Sequence, residues 1–474
     1  MDPSEYGYEH WKHEHSDCEL VHVMWTDYCG ILNEKLVPAS SLDMMYRTHV
    51  SGQSASDDLI PLTVSAAALT SLPDSKSAAE EIWPSYKTGK LLPDYDTIQR
   101  CIDSKTRATV FAKVMPANSG GLQCDPREIL KEIRSGYKGE TNFKAALEFQ
   151  FVLRRLSDGR LHLHKRDGSA QAIVLKLVQA LRTHSHRGTA GDLFIQSSDI
   201  SMDGVVTIAL SMSENILEAV DNFYRVKRAL ESITSLEGLR ASFFCPLEDM
   251  STATFSGTHL DVMCANKLRC RLHLALGPRW DVPDFSASIM ESEVGATSNP
   301  TIYAFCKPNW LTYGQRCQYQ GDRTPRREWM TWGTRNSKTT INFPCGFKSR
   351  RLEFGDIDCM ANMYLVVASI AGLGEASFRV PSYLEDVPKA DNVDEYDPAD
   401  PAGYSAALPE GQRIPLTGLD ACRSIELSIR QRDLLFGDIM PSYMAVREME
   451  DKSIVRAVEQ GRTTSAREVL GRWY

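Results

Sequence analysis

Strand and helix patterns alternate along the chain after residue 121, and this alternation most constrains the fold. Residues 143–154 are predicted as a strand in which Glu148 and Gln150 share one face, because side chains alternate along a strand. Residues 213–234 carry apolar side chains at helical spacing, with Ser213 as the predicted N-cap. The pattern therefore predicts a domain that combines a sheet with helices.

A smaller unit is predicted before this domain. Residues 19–38 alternate apolar and polar side chains around Gly30, which indicates a β-hairpin with glycine at the turn. Asp125 and Pro126 are predicted to open a helix as N-cap and first helical residue. We expect the boundary in the glycine-containing loop at 118–124, which divides the chain into domains 1–120 and 121–474.

Charge and apolar content exclude several classes of protein. The chain has 474 residues, a formal net charge of −9 and no block rich in lysine and arginine, which argues against a nucleic-acid surface. No run of about 18 apolar residues is present, so no membrane span is expected. The polar N-terminus does not resemble a signal peptide. The 12 cysteines form no CxxC pair, and we expect reduced thiols in a cytoplasmic protein.

Six segments carry a resemblance to a known family. In chain order they are LLPDYDT, CDPREILKEI, ALEFQF, SGTHLD, MTWGTRNS and RRLEFGDIDCMANMYLVVASIAGL. Their order and spacing resemble the glutamine synthetase family, and the sequence is most similar to its divergent fungal members. The resemblance implies an α+β fold with an N-terminal β-grasp domain and a catalytic domain built on a curved antiparallel sheet. It also implies a homo-oligomer of stacked rings, with active sites between neighbouring subunits.

The family reaction depends on two cations held side by side. ATP phosphorylates the side chain of glutamate and ammonia displaces the phosphate, so two anions must approach each other with metal assistance. The resemblance assigns one cation to Glu148, His259 and Glu353. The carboxylates of the other cation are absent, and their positions hold Gln150, Arg187 and Phe194. The chain therefore retains half of the family's metal site.

The family's phosphate-binding arginines are also absent. Their positions in this chain hold Phe305, Ser337, Asn342 and Gly355. An arginine that stabilises a transferring phosphoryl group contributes about 10³–10⁵ in rate, so the loss of several is severe. We therefore expect that ATP is not a cofactor and that amide ligation by the family mechanism is lost.

The remaining residues suggest one mononuclear metal site. Two carboxylates and one imidazole suit a divalent transition metal such as Cu, Fe, Mn or Zn. Arg187, expected on a strand, is predicted to bind a substrate carboxylate, with Gln150 as its catalytic neighbour. This interpretation predicts an enzyme of specialised metabolism, with redox chemistry on a small amine- or carboxylate-bearing substrate.

Two alternatives remain open. Arg187 could instead pair with Glu148 or Glu353 in a metal-free cluster, which would suit a non-catalytic regulator or scaffold. A ligase with a rearranged nucleotide site is the other alternative.

Overall fold

Two β-sheets with helices packed against them organise the chain in this computed structural model. The structure describes residues 3–51, 62–65, 69–70, 88–116, 125–136, 143–158, 162, 168–185, 193–201, 204–243, 268–277, 302–307, 332–335, 340–345, 349–379, 421 and 440–459. The predicted α+β class is confirmed by these two mixed sheets and their helices. The boundary between domains 1–120 and 121–474 stays a prediction.

The N-terminal sheet has six strands. Its elements in chain order are α1 (Pro3–Glu14), β1 (Leu20–Thr26), β2 (Leu32–Pro38), α2 (Ala39–Ser51), β3 (Thr63–Ser65), β4 (Thr88–Pro93), a 3-10 turn (Tyr95–Thr97), β5 (Gln99–Arg100) and β6 (Arg107–Pro116). The strand order is β2-β1-β6-β4-β3, and β5 pairs with β6. Strands β1 and β6 are parallel, whereas the other pairs are antiparallel.

The second sheet has eight strands and forms the larger part of the fold. Its elements are α3 (Pro126–Gly136), β7 (Phe143–Arg155), α4 (Ser169–Ser185), β8 (Ile195–Ile200), β9 (Val206–Leu210), α5 (Ile216–Leu236), β10 (Leu239–Ser242), β11 (Arg269–Leu276), α6 (Tyr303–Cys306), β12 (Trp332–Thr334), β13 (Ile341–Phe343), β14 (Arg351–Asp358), α7 (Met363–Arg379) and α8 (Met440–Glu459). The strand order is β12-β13-β14-β11-β7-β9-β8, with β10 paired to β7. Among the described helices, none is long and apolar enough to cross a membrane.

Two local sequence predictions are wrong. Helix α5 begins at Ile216 and not at Ser213, because Ser213 forms a backbone bridge with Ala145. Its N-cap is Asn215, whose Oδ1 accepts from the Glu218 amide at 2.8 Å. The segment before Arg187 is helix α4 and not the expected strand.

Helix α4 forms because its apolar residues recur every fourth position. Ile173, Leu177 and Leu181 are all buried in the core. This spacing places them on one side of a helix, whereas a strand would need alternation.

The β1–β2 hairpin turns at a glycine that lies against the larger domain. Gly30 has a φ of 82°, in the left-handed region that favours glycine. A Cβ added there would lie 2.7 Å from the Met360 carbonyl oxygen and 2.8 Å from the Asn362 amide nitrogen. Asn362 also donates its Nδ2 to the Asp27 carbonyl at 2.7 Å. The hairpin turn and the loop before α7 therefore pack closely against each other through backbone atoms.

We expect Gly30→Ala to lower the free energy of unfolding by more than about 2 kcal/mol, because it adds a backbone clash to the conformational strain. Gly238→Ala is the matched control, since Gly238 has a φ of 69° and an added Cβ would meet nothing within 4 Å. That variant should lose only about 1 kcal/mol. Urea denaturation measures both, and equal losses would show that the close approach contributes nothing.

A buried ion-pair network joins the two sheets at the start of α3. Arg127 donates from Nε and Nη2 to the two carboxylate oxygens of Asp221 on α5, both at 2.9 Å. Its Nη1 donates to Asp94 Oδ2 at 2.8 Å. The Tyr364 hydroxyl donates to Asp221 Oδ1 at 2.7 Å. Arg127 and Asp221 are both buried, so this network replaces water for their two charges.

A second polar contact between the sheets makes folding sensitive to acid. Glu34 Oε2 on β2 lies 3.0 Å from His22 Nδ1 and accepts from Arg228 Nε on α5 at 2.9 Å. The hydrogen bond with His22 and the charge of Arg228 lower the pKa of Glu34 from 4.5 to about 2. Glu34 therefore stabilises the fold above pH 4.5, and this stabilisation is lost as the pH falls towards 2.

We expect the stability difference between the wild type and Glu34→Gln to shrink as the pH falls from about 5 to about 2.5. The Glu34 side chain is 43% exposed, so solvent screening limits the change to about 1 kcal/mol or less. Urea denaturation at the two pH values measures it. A difference that stays constant would show that Glu34 does not titrate abnormally.

Candidate functional site

Three neighbouring strands of the larger sheet present polar side chains on one face. Burial alternates along β7, β11 and β14, so that Phe149, Leu272 and Phe354 are fully buried. The intervening positions form the open face and hold Glu148, Arg271, His273 and Glu353. The strand registers pair Arg271 with Glu148 and His273 with Glu353. Backbone pairing alone therefore brings four ionisable side chains together.

These side chains, with one from β13, form what we call the central cluster: Glu148, Arg271, His273, Asn342 and Glu353. Arg271 Nη1 donates to Glu148 Oε1 at 2.8 Å. His273 lies between the carboxylates, with Nε2 at 3.5 Å from Glu148 Oε2 and Nδ1 at 3.4 Å from Glu353 Oε1. Asn342 Nδ2 donates to Glu353 Oε2 at 2.8 Å. Each carboxylate thus has one firm hydrogen bond and one contact with the same imidazole.

The cluster favours ionised carboxylates. Burial acts to raise the pKa of Glu148, but the contact with His273 and the charge of Arg271 outweigh it and the pKa is lowered. Contact with His273 is the main cause of the lowered pKa of Glu353. Burial acts to lower the pKa of His273, yet the two carboxylates raise it overall. Two negative charges are therefore offset by the guanidinium and by the imidazole.

The structure brings together some of the predicted site residues. Glu148 and Glu353 lie on opposite sides of one imidazole ring. Gln150 shares the open face of β7, and its Nε2 donates to Thr207 Oγ1 at 3.3 Å. Phe194 precedes β8 and is 50% exposed. Arg187 and His259 lie outside the described residues, so their predicted roles stay predictions.

Two residues of the cluster were not predicted from the sequence. His273 lies between the two carboxylates, whereas the predicted histidine was His259, whose role stays a prediction. Arg271 pairs with Glu148 in the described part of the chain. The segment RCRLHLAL carried a usable signal, because its polar residues alternate with Cys270, Leu272 and Leu274 in the manner of a half-buried strand.

The structure shows the contacts of two residues at the positions that the resemblance assigns to phosphate-binding arginines. Asn342 contacts the central cluster through Glu353, as an amide donor. Phe305 lies on α6 in the core, with its ring centroid 5.0 Å from that of Tyr443. A buried aromatic residue at that position cannot bind a phosphate.

The donor chemistry of the cluster fits a divalent cation. His273 Nε2 is buried and has no hydrogen-bond partner among the described residues, while Glu148 Oε2 faces it. Glu353 lies at the other ring nitrogen, in the arrangement by which a carboxylate commonly orients a metal-binding histidine. Within the described ranges no three His, Cys, Asp or Glu side chains converge on one point. Glu148 and His273 are therefore candidate ligands, and Glu353 is a candidate orienting residue.

The sequence comparison decides the family. A sequence model described as "Glutamine synthetase, catalytic domain" matches residues 123–464, which is well over half of the chain. The chain belongs to the glutamine synthetase family. No curated protein is similar enough in sequence to count as a match.

Solved structures of this glutamine synthetase fold resemble the chain over almost its whole length. A GmaS structure with ADP has a TM-score of 0.67 at 17% identity, over 95% of this chain and 96% of that chain. GmaS without ligand has a TM-score of 0.65 at 16% identity, with the same coverage of both chains. A structure named a novel glutamine synthase homologue has a TM-score of 0.62 at 16% identity, over 96% and 99% of the two chains. At these identities the likeness establishes the fold alone.

Proposed function

We propose that this glutamine synthetase family member is an enzyme that binds one divalent transition metal and no longer performs ATP-dependent amide ligation. The observation that carries the proposal is that His273 Nε2 makes no hydrogen bond within the described residues and faces Glu148 Oε2 at 3.5 Å, while Glu353 lies at the other ring nitrogen. The substrate class we propose is a small amine- or carboxylate-bearing molecule. A homo-oligomer in the cytoplasm is part of the same proposal.

The residues at the positions predicted for the second cation, together with Arg271, argue against such a cation. Gln150 offers a neutral amide that already donates to Thr207. Phe194 offers no donor atom, and Arg271 adds a positive charge beside Glu148. Two divalent ions need several anionic ligands to offset their mutual repulsion. The central cluster, as described, provides only the carboxylates of Glu148 and Glu353, both already shared with cationic or amide groups.

The side chains of the cluster have distinct roles in this proposal. Glu148 and His273 would hold the metal, and Asn342 fixes Glu353, which fixes the imidazole ring. A bound transition metal would supply Lewis-acid or one-electron chemistry. We favour redox chemistry with dioxygen, because the positions that handle polyphosphate in the family hold other residues while a mononuclear metal position remains.

Specific observations favour two other functions. The likeness to the GmaS/ADP complex over 95% of the chain favours a nucleotide-dependent ligase with a rearranged site. The near balance of charge between Glu148, Glu353, Arg271 and His273 favours a regulator that needs no metal.

Nucleotide titration separates these functions. We expect no calorimetric binding of Mg·ATP up to about 1 mM, the upper end of common KM values, and no phosphate release with glutamate and ammonium. Binding in the micromolar range with phosphate release would overturn the proposal in favour of a ligase. Indifference both to nucleotide and to transition metals would overturn it in favour of a regulator.

A further inference from the structure

Arg271 binds one oxygen of the Glu148 carboxylate that a metal at the central cluster would need, while the other oxygen faces His273 Nε2. Its Nη1 donates to Glu148 Oε1 at 2.8 Å, which is shorter than either contact of His273 with a carboxylate. The β7–β11 register sets Arg271 directly across from Glu148, so the strand pairing holds the two side chains together. This ion pair is therefore a built part of the site.

A guanidinium at this place opposes a cation in two ways. It carries a permanent positive charge, since arginine is not deprotonated in proteins. It also engages a lone pair of the Glu148 carboxylate in a charge-assisted hydrogen bond, which makes that carboxylate a weaker metal ligand. A metal ion must therefore displace Arg271 or share Glu148 with it.

Displacement is sterically feasible. The Arg271 side chain is 31% exposed and lies on the open face of the sheet, so it can leave Glu148 without disturbing the core. Such a competitor lowers the affinity of every cation by the same factor. The fraction of sites that hold a weakly bound ion such as Mn²⁺ then becomes small, whereas strongly bound ions such as Cu²⁺ and Zn²⁺ still occupy the site.

We propose that Arg271 acts as an internal competitor for the metal, which lowers the affinity of the central cluster for every divalent cation by a common factor and so leaves weakly bound cations with little occupancy. This inference rests on the proposed function, because it needs a metal that binds at Glu148 and His273.

Calorimetric titration of Zn²⁺ and of Mn²⁺ into the metal-free full-length protein tests it. We expect Arg271→Gln to bind both ions more tightly than the wild type, by a common factor of about tenfold to a hundredfold. Arg271→Lys, which keeps the charge, should stay within a few-fold of the wild type.

Lys144→Gln is the matched control. Lys144 lies on the same face of β7, about 13 Å along the strand from Glu148, and pairs with Glu214 at 2.7 Å. This variant removes the same charge at a distance and should leave both affinities unchanged. Thermal unfolding establishes that all the variants are folded.

The outcomes separate the two claims. If the wild type binds metal and folded Arg271→Gln binds it equally or less tightly, the competition is overturned and the proposed function stands. If Lys144→Gln tightens binding as much as Arg271→Gln, the effect is net charge and the competition is also overturned. If neither the wild type nor Arg271→Gln binds either ion, both claims fail.

Discussion

Replacing Arg127 with methionine is expected to lower the free energy of unfolding by about 3–5 kcal/mol. The substitution leaves the buried carboxylate of Asp221 without its bidentate partner, and Asp94 loses one of its two cations. Methionine fills much of the volume, so the loss reflects charge and hydrogen bonding more than a cavity. Urea denaturation at pH 7 measures the change.

Lys131→Met is the matched control for this prediction. Lys131 is exposed and also contacts Asp94, at 2.9 Å. Because water screens that ion pair, its loss should cost less than about 1 kcal/mol. Equal losses in the two variants would contradict the view that the buried network holds the two sheets together.

The second large effect is expected on metal binding. Replacing His273 with alanine removes the imidazole of the central cluster, whose Nε2 is the candidate nitrogen ligand beside Glu148. Metal bound after loading should therefore fall from near one equivalent to a small fraction. Glu353→Gln keeps the imidazole but weakens its orientation, and such partners typically contribute about 10–100-fold in affinity. Elemental analysis and calorimetry therefore should rank the wild type above Glu353→Gln, and Glu353→Gln above His273→Ala.

His162→Ala is the control for histidine deletion, because His162 contacts Ser169 at 2.9 Å, outside the central cluster. It should retain the metal of the wild type. A folded His273→Ala protein with full metal content would exclude His273 as a ligand and would leave His259 as the candidate histidine ligand. Metal loss in Glu353→Gln as complete as in His273→Ala would make Glu353 a direct ligand, as the sequence resemblance implied.

Much of the fold could be predicted because its signals are local. The alternation of side chains around Glu148 predicted strand β7, and Gly30 predicted the turn of the β1–β2 hairpin. Asp125 and Pro126 predicted the start of helix α3. The order of six short motifs indicated the family, and membership of the family predicted the α+β architecture. Each of these signals spans only a few residues.

The site was harder to predict from the sequence because it depends on pairings between distant segments. Glu148 and Arg271 are 123 positions apart, and only the β7–β11 register brings them together. Both SGTHLD and RCRLHLAL contain a histidine. The sequence alone does not show which of these segments forms the strand between β7 and β14. In the described structure Glu148 pairs with Arg271, and the pairing of Arg187 with Glu148 or Glu353 in the metal-free alternative stays a prediction.

Inductively coupled plasma mass spectrometry of the wild-type protein, purified with Cu, Fe, Mn and Zn available, tests the central claim most directly. The account predicts close to one equivalent of a single transition metal per chain. Two equivalents would indicate that the family's paired site survives. No bound metal, even after incubation with each ion in turn, would contradict the account.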